Sequence, residues 1–167
     1  VNVNNMEGLF YNCQSMTEWD FSNFVTTNVT NMSNMFAGCL SLSSMKNLDM
    51  FETANATNMS GIFTDCTSLQ SLNLNTEKFV TSGVCNMSGM FKGCKGLKEL
   101  IITDLDTSSV SNFSSMFEGC TSLEELDISN FDTSLATDLS RMFMNDIALK
   151  NIYVGSKWED DYTNVNV

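Results

Sequence analysis

Apolar residues recur along this chain in a fixed order that restarts about every 26 residues. The clearest marker is the pair Phe-x-x-Cys, at Phe10/Cys13, Phe36/Cys39, Phe63/Cys66, Phe91/Cys94 and Phe117/Cys120. A sixth copy keeps Phe143 and has Asp146 in place of the thiol. Successive Phe positions are separated by 26, 27, 28, 26 and 26 residues. Further columns align on this anchor. Met6, Met32, Met59, Met87, Phe113 and Leu139 precede it, with Leu9, Met35, Ile62, Met90, Met116 and Met142 directly beside it. Met16, Leu42, Leu69, Leu97, Leu123 and Leu149 follow, and three residues on stand Trp19, Met45, Leu72, Leu100, Leu126 and Ile152. A period of this length marks a repeat protein whose units stack because none buries its apolar face alone.

Two periodicities alternate within each copy. Met32, Met35, Phe36 and Cys39 fall at i, i+3, i+4 and i+7, which predicts a short helix. Thr30 or Asn31 suits its N-cap and Gly38 its end. Leu72-Asn73-Leu74 alternates with period two, which predicts a short strand. A third, extended segment carries Phe24, Phe51, Phe79, Leu105 and Phe131, each followed two residues later by Thr26, Thr53, Thr81, Thr107 or Thr133. The extra residues of copies two and three precede Phe51 and Phe79, so surface loops are predicted to hold them. The expectation is one α/β solenoid domain over residues 1–167, with copies anchored near 10–13, 36–39, 63–66, 91–94, 117–120 and 143–146. At about 4.8 Å between paired strands, six rungs make a stack about 25–30 Å long. Residues 155–167, including Trp158-Glu159-Asp160-Asp161, read as a terminal cap or a truncated further repeat.

Composition narrows the function classes. Acids outnumber bases by 20 to 8, a formal net charge of −12, and no Lys/Arg cluster offsets it. That balance argues against nucleic acid and against an anionic membrane surface. No run of 18 or more apolar residues is present, so direct membrane insertion is not expected. The chain has no His, which removes the commonest general base and metal ligand. It reads as an internal piece of a longer protein, so a missing leader carries no information.

Several columns invite a chemical reading. Five of six cysteines share one column, with Cys85 outside it and no Cys-x-x-Cys anywhere. Stacked rungs would bring those thiols within disulfide range, yet the i+7 position of an apolar stripe is also where Cys acts as a small hydrophobe. A buried thiol ladder is the favoured expectation, and a metal site is not. Asn31, Asn58, Asn86 and Asn112 begin Asn-x-Ser sequences, and Asn28 and Asn55 begin Asn-x-Thr. These are glycosylation motifs, but a recurring column points to Asn side chains that satisfy turn backbone. The Thr column has neighbours too irregular for an ice-binding face, so a capping hydroxyl is expected. No cofactor and no catalytic constellation emerge.

The repeat Asn-Met-Ser-x-Met-Phe-x-Gly-Cys-x-Ser-Leu-x-x-Leu-x-Leu, followed by Phe-x-Thr, resembles the BspA-like leucine-rich repeats of bacterial surface proteins. It is fullest at Asn31 to Leu42 and at Asn112 to Phe131, and the resemblance covers nearly the whole chain. Asn151 to Trp158 is similar to the way such arrays close. The resemblance implies a right-handed leucine-rich-repeat-type solenoid, each rung a short helix plus a short parallel strand. It also implies an extracellular or cell-surface location and adhesion to a protein of a host or matrix.

Between the strand leucines lie positions that vary while the core columns stay put. Asp20, Asn73, Lys98, Glu99, Ile101, Glu124, Glu125, Asp127, Lys150 and Tyr153 form the candidate partner-binding face. Ile101 and Tyr153 would be anchors within a polar rim. Three other readings stand beside partner binding: a merely soluble surface, a structural spacer, and a carbohydrate-binding or carbohydrate-acting solenoid. A monomer is expected.

Overall fold

The computed structural model describes residues 2–159. Each copy contributes one short strand: β1 (Glu18–Asp20), β2 (Ser44–Lys46), β3 (Ser71–Asn73), β4 (Glu99–Ile101), β5 (Glu125–Ile128) and β6 (Asn151–Val154). The strands pair parallel and in register, β1 with β2, β3 with β4 and β5 with β6. A second line of parallel bridges runs through every copy, from Asn5 through Asn31, Asn58, Asn86 and Asn112 to Asp138. The repeat solenoid is therefore present. Its rung differs from the expected one.

Where the i, i+3, i+4, i+7 spacing predicts a helix, the chain makes successive four-residue turns. In copy two, the Met35 N–H donates to the Met32 carbonyl (3.3 Å) and the Cys39 N–H to the Phe36 carbonyl (3.1 Å). The third residue of each turn has positive φ, Asn34 at 55° and Gly38 at 75°, as type II turns require. The N–H groups of Met32, Asn34, Phe36 and Gly38 point along the array to Asn58, Ser60, Ile62 and Thr64 carbonyls, at 2.8–2.9 Å. An α-helix would send each N–H four residues back along its own chain. A helix of eight residues is marginal alone, whereas here alternate donors close turns and the others join rungs. The same four residues face inward in both arrangements, because two turns placed end to end reproduce the helical spacing. Among the described residues the one helical segment is a 3-10 turn, Leu48–Met50, within the loop insertion of copy two.

The aligned columns fill the core. Met32, Met35, Phe36, Cys39 and Leu42 have no exposed surface, nor do Met59, Ile62, Phe63 and Cys66 one rung on. Complete burial of such side chains contributes about 1.5–3 kcal/mol each. The Phe rings stack face to face from rung to rung, Phe63 over Phe91 at 5.8 Å and Phe117 over Phe143 at 5.8 Å between centroids. Trp158 lies against Phe143 with centroids 6.4 Å apart. The remainder of the expected cap, from Asp160 onward, lies outside the described residues.

Side chains seal the backbone groups that the turns leave open. Oδ1 of Asn31, Asn58, Asn86 and Asn112 accepts the N–H of the serine two residues on, at 2.9–3.1 Å. Buried Thr53, Thr81 and Thr107 donate to the Val80, Asp106 and Asp132 carbonyls of the next rung, at 2.7, 2.9 and 3.1 Å. The thiols of Cys39, Cys66, Cys94 and Cys120 reach the Phe10, Phe36, Phe63 and Phe91 carbonyls of the preceding rung, at 3.1–3.3 Å. All six cysteines are free, with Cys13 and Cys85 exposed. Burial pushes the Cys39 thiol up to about 11 and raises Cys66, Cys94 and Cys120 as well.

Candidate partner-binding face

Parallel strands in register stack equivalent residues into straight columns. The inward column is Trp19, Met45, Leu72, Leu100, Leu126 and Ile152. On either side of it the outward columns read Glu18, Ser44, Ser71, Glu99, Glu125, Asn151 and Asp20, Lys46, Asn73, Ile101, Asp127, Tyr153. Alternation in and out is the ordinary consequence of the pleat. The outward columns are unlike one another from rung to rung, and the inward column is apolar throughout.

Copies four to six carry a depression of about 920 Å³ on this face. Lys98, Glu99, Glu124, Glu125, Asp127 and Tyr153 line it, so six of the ten residues singled out from sequence meet in one place. Tyr153 is half exposed. Lys150 stands beside the depression, its Nζ 2.7 Å from Glu124, and that contact holds the Glu124 carboxyl below its ordinary range. Glu125 accepts from the Asn151 amide at 3.0 Å. Ile101, half-buried on β4, pairs in register with Asn73 on β3.

Asp20 and Asn73 lie apart from the depression and serve the turns. Asp20 Oδ1 accepts from the Ser22 N–H (2.8 Å), the Ser22 hydroxyl (2.6 Å) and the Asn47 amide (2.7 Å). Those bonds, the Ser22 hydroxyl foremost, bring its carboxyl down to about 2. Asn73 Oδ1 accepts from the Asn75 N–H at 2.9 Å. Asp127 makes the same turn contact with the Ser129 N–H at 2.9 Å while also lining the depression.

Sequence reasoning passed over the floor. Leu100, Ser122 and Ala148 line the depression as well, and Ser122 and Ala148 belong to a column of small residues, Ser41, Ser68, Gly96, Ser122 and Ala148. Each stands directly before a core leucine, so its signal was present as a column without bulk. A second depression, about 340 Å³, opens on Ser41, Ser43, Thr67, Ser68 and Gln70. It shares Lys98 and Ser122 with the first. No group of three or more metal-ligating side chains is present among the described residues.

A family described as "Mycoplasma protein of unknown function, DUF285" matches residues 1–76 and 69–166. The chain belongs to the DUF285 family. This is a BspA-like repeat family, which agrees with the resemblance carried by the Phe-x-x-Cys copies. Solved structures place the DUF285 chain among leucine-rich-repeat folds. A leucine-rich repeat protein from Eubacterium ventriosum aligns with a TM-score of 0.54 at 18% identity, covering 86% of this chain and 34% of that one. One from Bacteroides ovatus aligns with a TM-score of 0.52 at 15% identity, covering 99% and 45%. The DUF285 chain thus spans about a third to under half of the length of these neighbours. None of the curated proteins compared with it matches.

Proposed function

We propose that this DUF285 array is a non-catalytic, extracellular or cell-surface module that docks a protein of a host or matrix through its strand face. The observation that carries this reading is the division of positions within each rung. Turn, Phe, Thr and inward-strand columns repeat because every rung must stack on the next. The outward residues Glu99, Glu125, Asp127 and Tyr153 of β4 to β6 differ from rung to rung and open into the 920 Å³ depression. Repeat proteins recognise partners along such extended variable surfaces. Half-exposed Tyr153 supplies an aromatic anchor among charged rim residues, the composition of many protein interfaces.

The test is retention of array-coated beads on a reconstituted extracellular-matrix gel, compared with protein-blocked glass. Wild-type beads are expected to be retained on the gel. A Glu99→Lys, Glu125→Lys, Tyr153→Ala variant should lose that retention, while Asp49→Lys, Asp104→Lys, altered on other surfaces, should keep it. Equal retention of all three would make the array a spacer.

A further inference from the structure

The two strand-face depressions adjoin at Lys98 and Ser122, which line both, and together they form a groove that follows the array from rung to rung. Its neutral end is walled by Ser41, Ser43, Thr67 and Ser68, and its far end by Glu99, Glu125, Asp127 and Tyr153. Five rungs at about 4.8 Å give a length near 20 Å, which about six residues of extended chain would span. We propose that this groove holds an extended peptide segment of a partner protein, aligned with the array axis and carrying lysine or arginine at the Tyr153 end. The assignment rests on the partner-binding reading above and names the chemistry of the bound segment.

Charge and hydrogen-bonding capacity set both the class of ligand and its direction. Among the described residues Glu99, Glu125 and Asp127 have no ion-pair partner, whereas neighbouring Glu124 is paired with Lys150. Tyr153 offers a ring face to a guanidinium or to the aliphatic stem of a lysine. Lys98, at the junction, disfavours a second cation in mid-groove and so confines positive charge to one end. At the neutral end the Ser43 and Thr67 hydroxyls already donate to the Thr17 and Leu40 carbonyls, at 3.3 and 3.1 Å. Their remaining capacity is as acceptors, which suits the N–H groups of an extended backbone.

Fluorescence anisotropy on the full chain tests this with three labelled short peptides of serine and glycine. One ends in lysines, one in glutamates, and one is neutral; cellohexaose serves as competitor. The lysine-ended peptide should bind, and Glu99→Gln, Glu125→Gln, Asp127→Asn should weaken it by about tenfold, near 1.4 kcal/mol. Asp49→Asn, Glu77→Gln, Asp104→Asn removes the same charge from exposed sites elsewhere and should change affinity less than about threefold. Equal weakening by both triple variants would show diffuse attraction to a chain of net charge −12 and overturn the proposal. Displacement by cellohexaose, or no binding of any peptide, would overturn it too. If bead retention still depended on the face in that case, partner binding would stand and only the cationic-peptide assignment would fall.

Discussion

Four buried thiols each donate to a Phe carbonyl in the rung before, and Asp146 occupies the fifth place in that ladder. Its Oδ1 accepts from the Cys120 N–H at 2.7 Å, but its buried Oδ2 has no partner. As a carboxylate, Asp146 has no proton to offer the Phe117 carbonyl. Burial raises this carboxyl to about 6, with nearby Glu118 adding to the shift. Glu118 itself is held by Lys92 at 3.0 Å and Arg141 at 2.6 Å. The folded value exceeds the unfolded one of about 3.9, so Asp146 favours the folded state most below about pH 4. That contribution is lost as pH rises through about 6. Asp146→Cys restores the thiol and should raise stability by about 1 kcal/mol near pH 7.5, by thermal unfolding. The gain should shrink toward pH 4.5; a gain independent of pH would remove the unpartnered carboxylate as its cause.

At the scale of the element, the rung replaces a helix with turns, and one glycine separates the two. Gly93 has φ +69°, and a Cβ there would sit 2.1 Å from Asp65 Oδ1 in the preceding rung. In a helix, Gly→Ala would stabilise by about 0.5–1 kcal/mol. In this turn the left-handed backbone alone costs about 1–2 kcal/mol, and Asp65 must also move. Gly93→Ala should therefore lower the denaturation midpoint, and a raised midpoint would restore the helix. Much of the rung was legible in the sequence, because burial follows the columns whatever backbone carries them. Met59, Ile62, Phe63 and Cys66 are fully buried, as their columns predict. The element type was not legible from that stripe, since helix and paired turns share its spacing. The distinguishing residues were Gly61 and Asp65, or Gly89 and Gly93, four apart where a helix interior disfavours them. Of the candidate site, the acidic rim and Tyr153 were visible as variable outward positions. Asp20 and Asn73 belong to the same column and make the same turn bond as Asp127, but they stand on rungs outside the depression, a distinction of place along the array that the column alone does not carry.

Across the whole molecule, cohesion and recognition are assigned to alternate side chains of the same short strands. On β5 and β6, Leu126 points into the stack with 1% exposure, while its neighbour Glu125 and the half-exposed Tyr153 face the depression. If the two roles are separate, substitutions on opposite sides of the pleat should change different observables. The most direct measurement compares Leu126→Ala with Glu125→Ser, Tyr153→Ser by chemical denaturation and by matrix-gel retention of the folded protein. The account predicts that Leu126→Ala loses about 2–5 kcal/mol of stability and keeps its retention. The face variant should stay within about 0.5 kcal/mol of wild type and lose retention. A face variant that unfolds, or one that is retained as well as wild type, would contradict it.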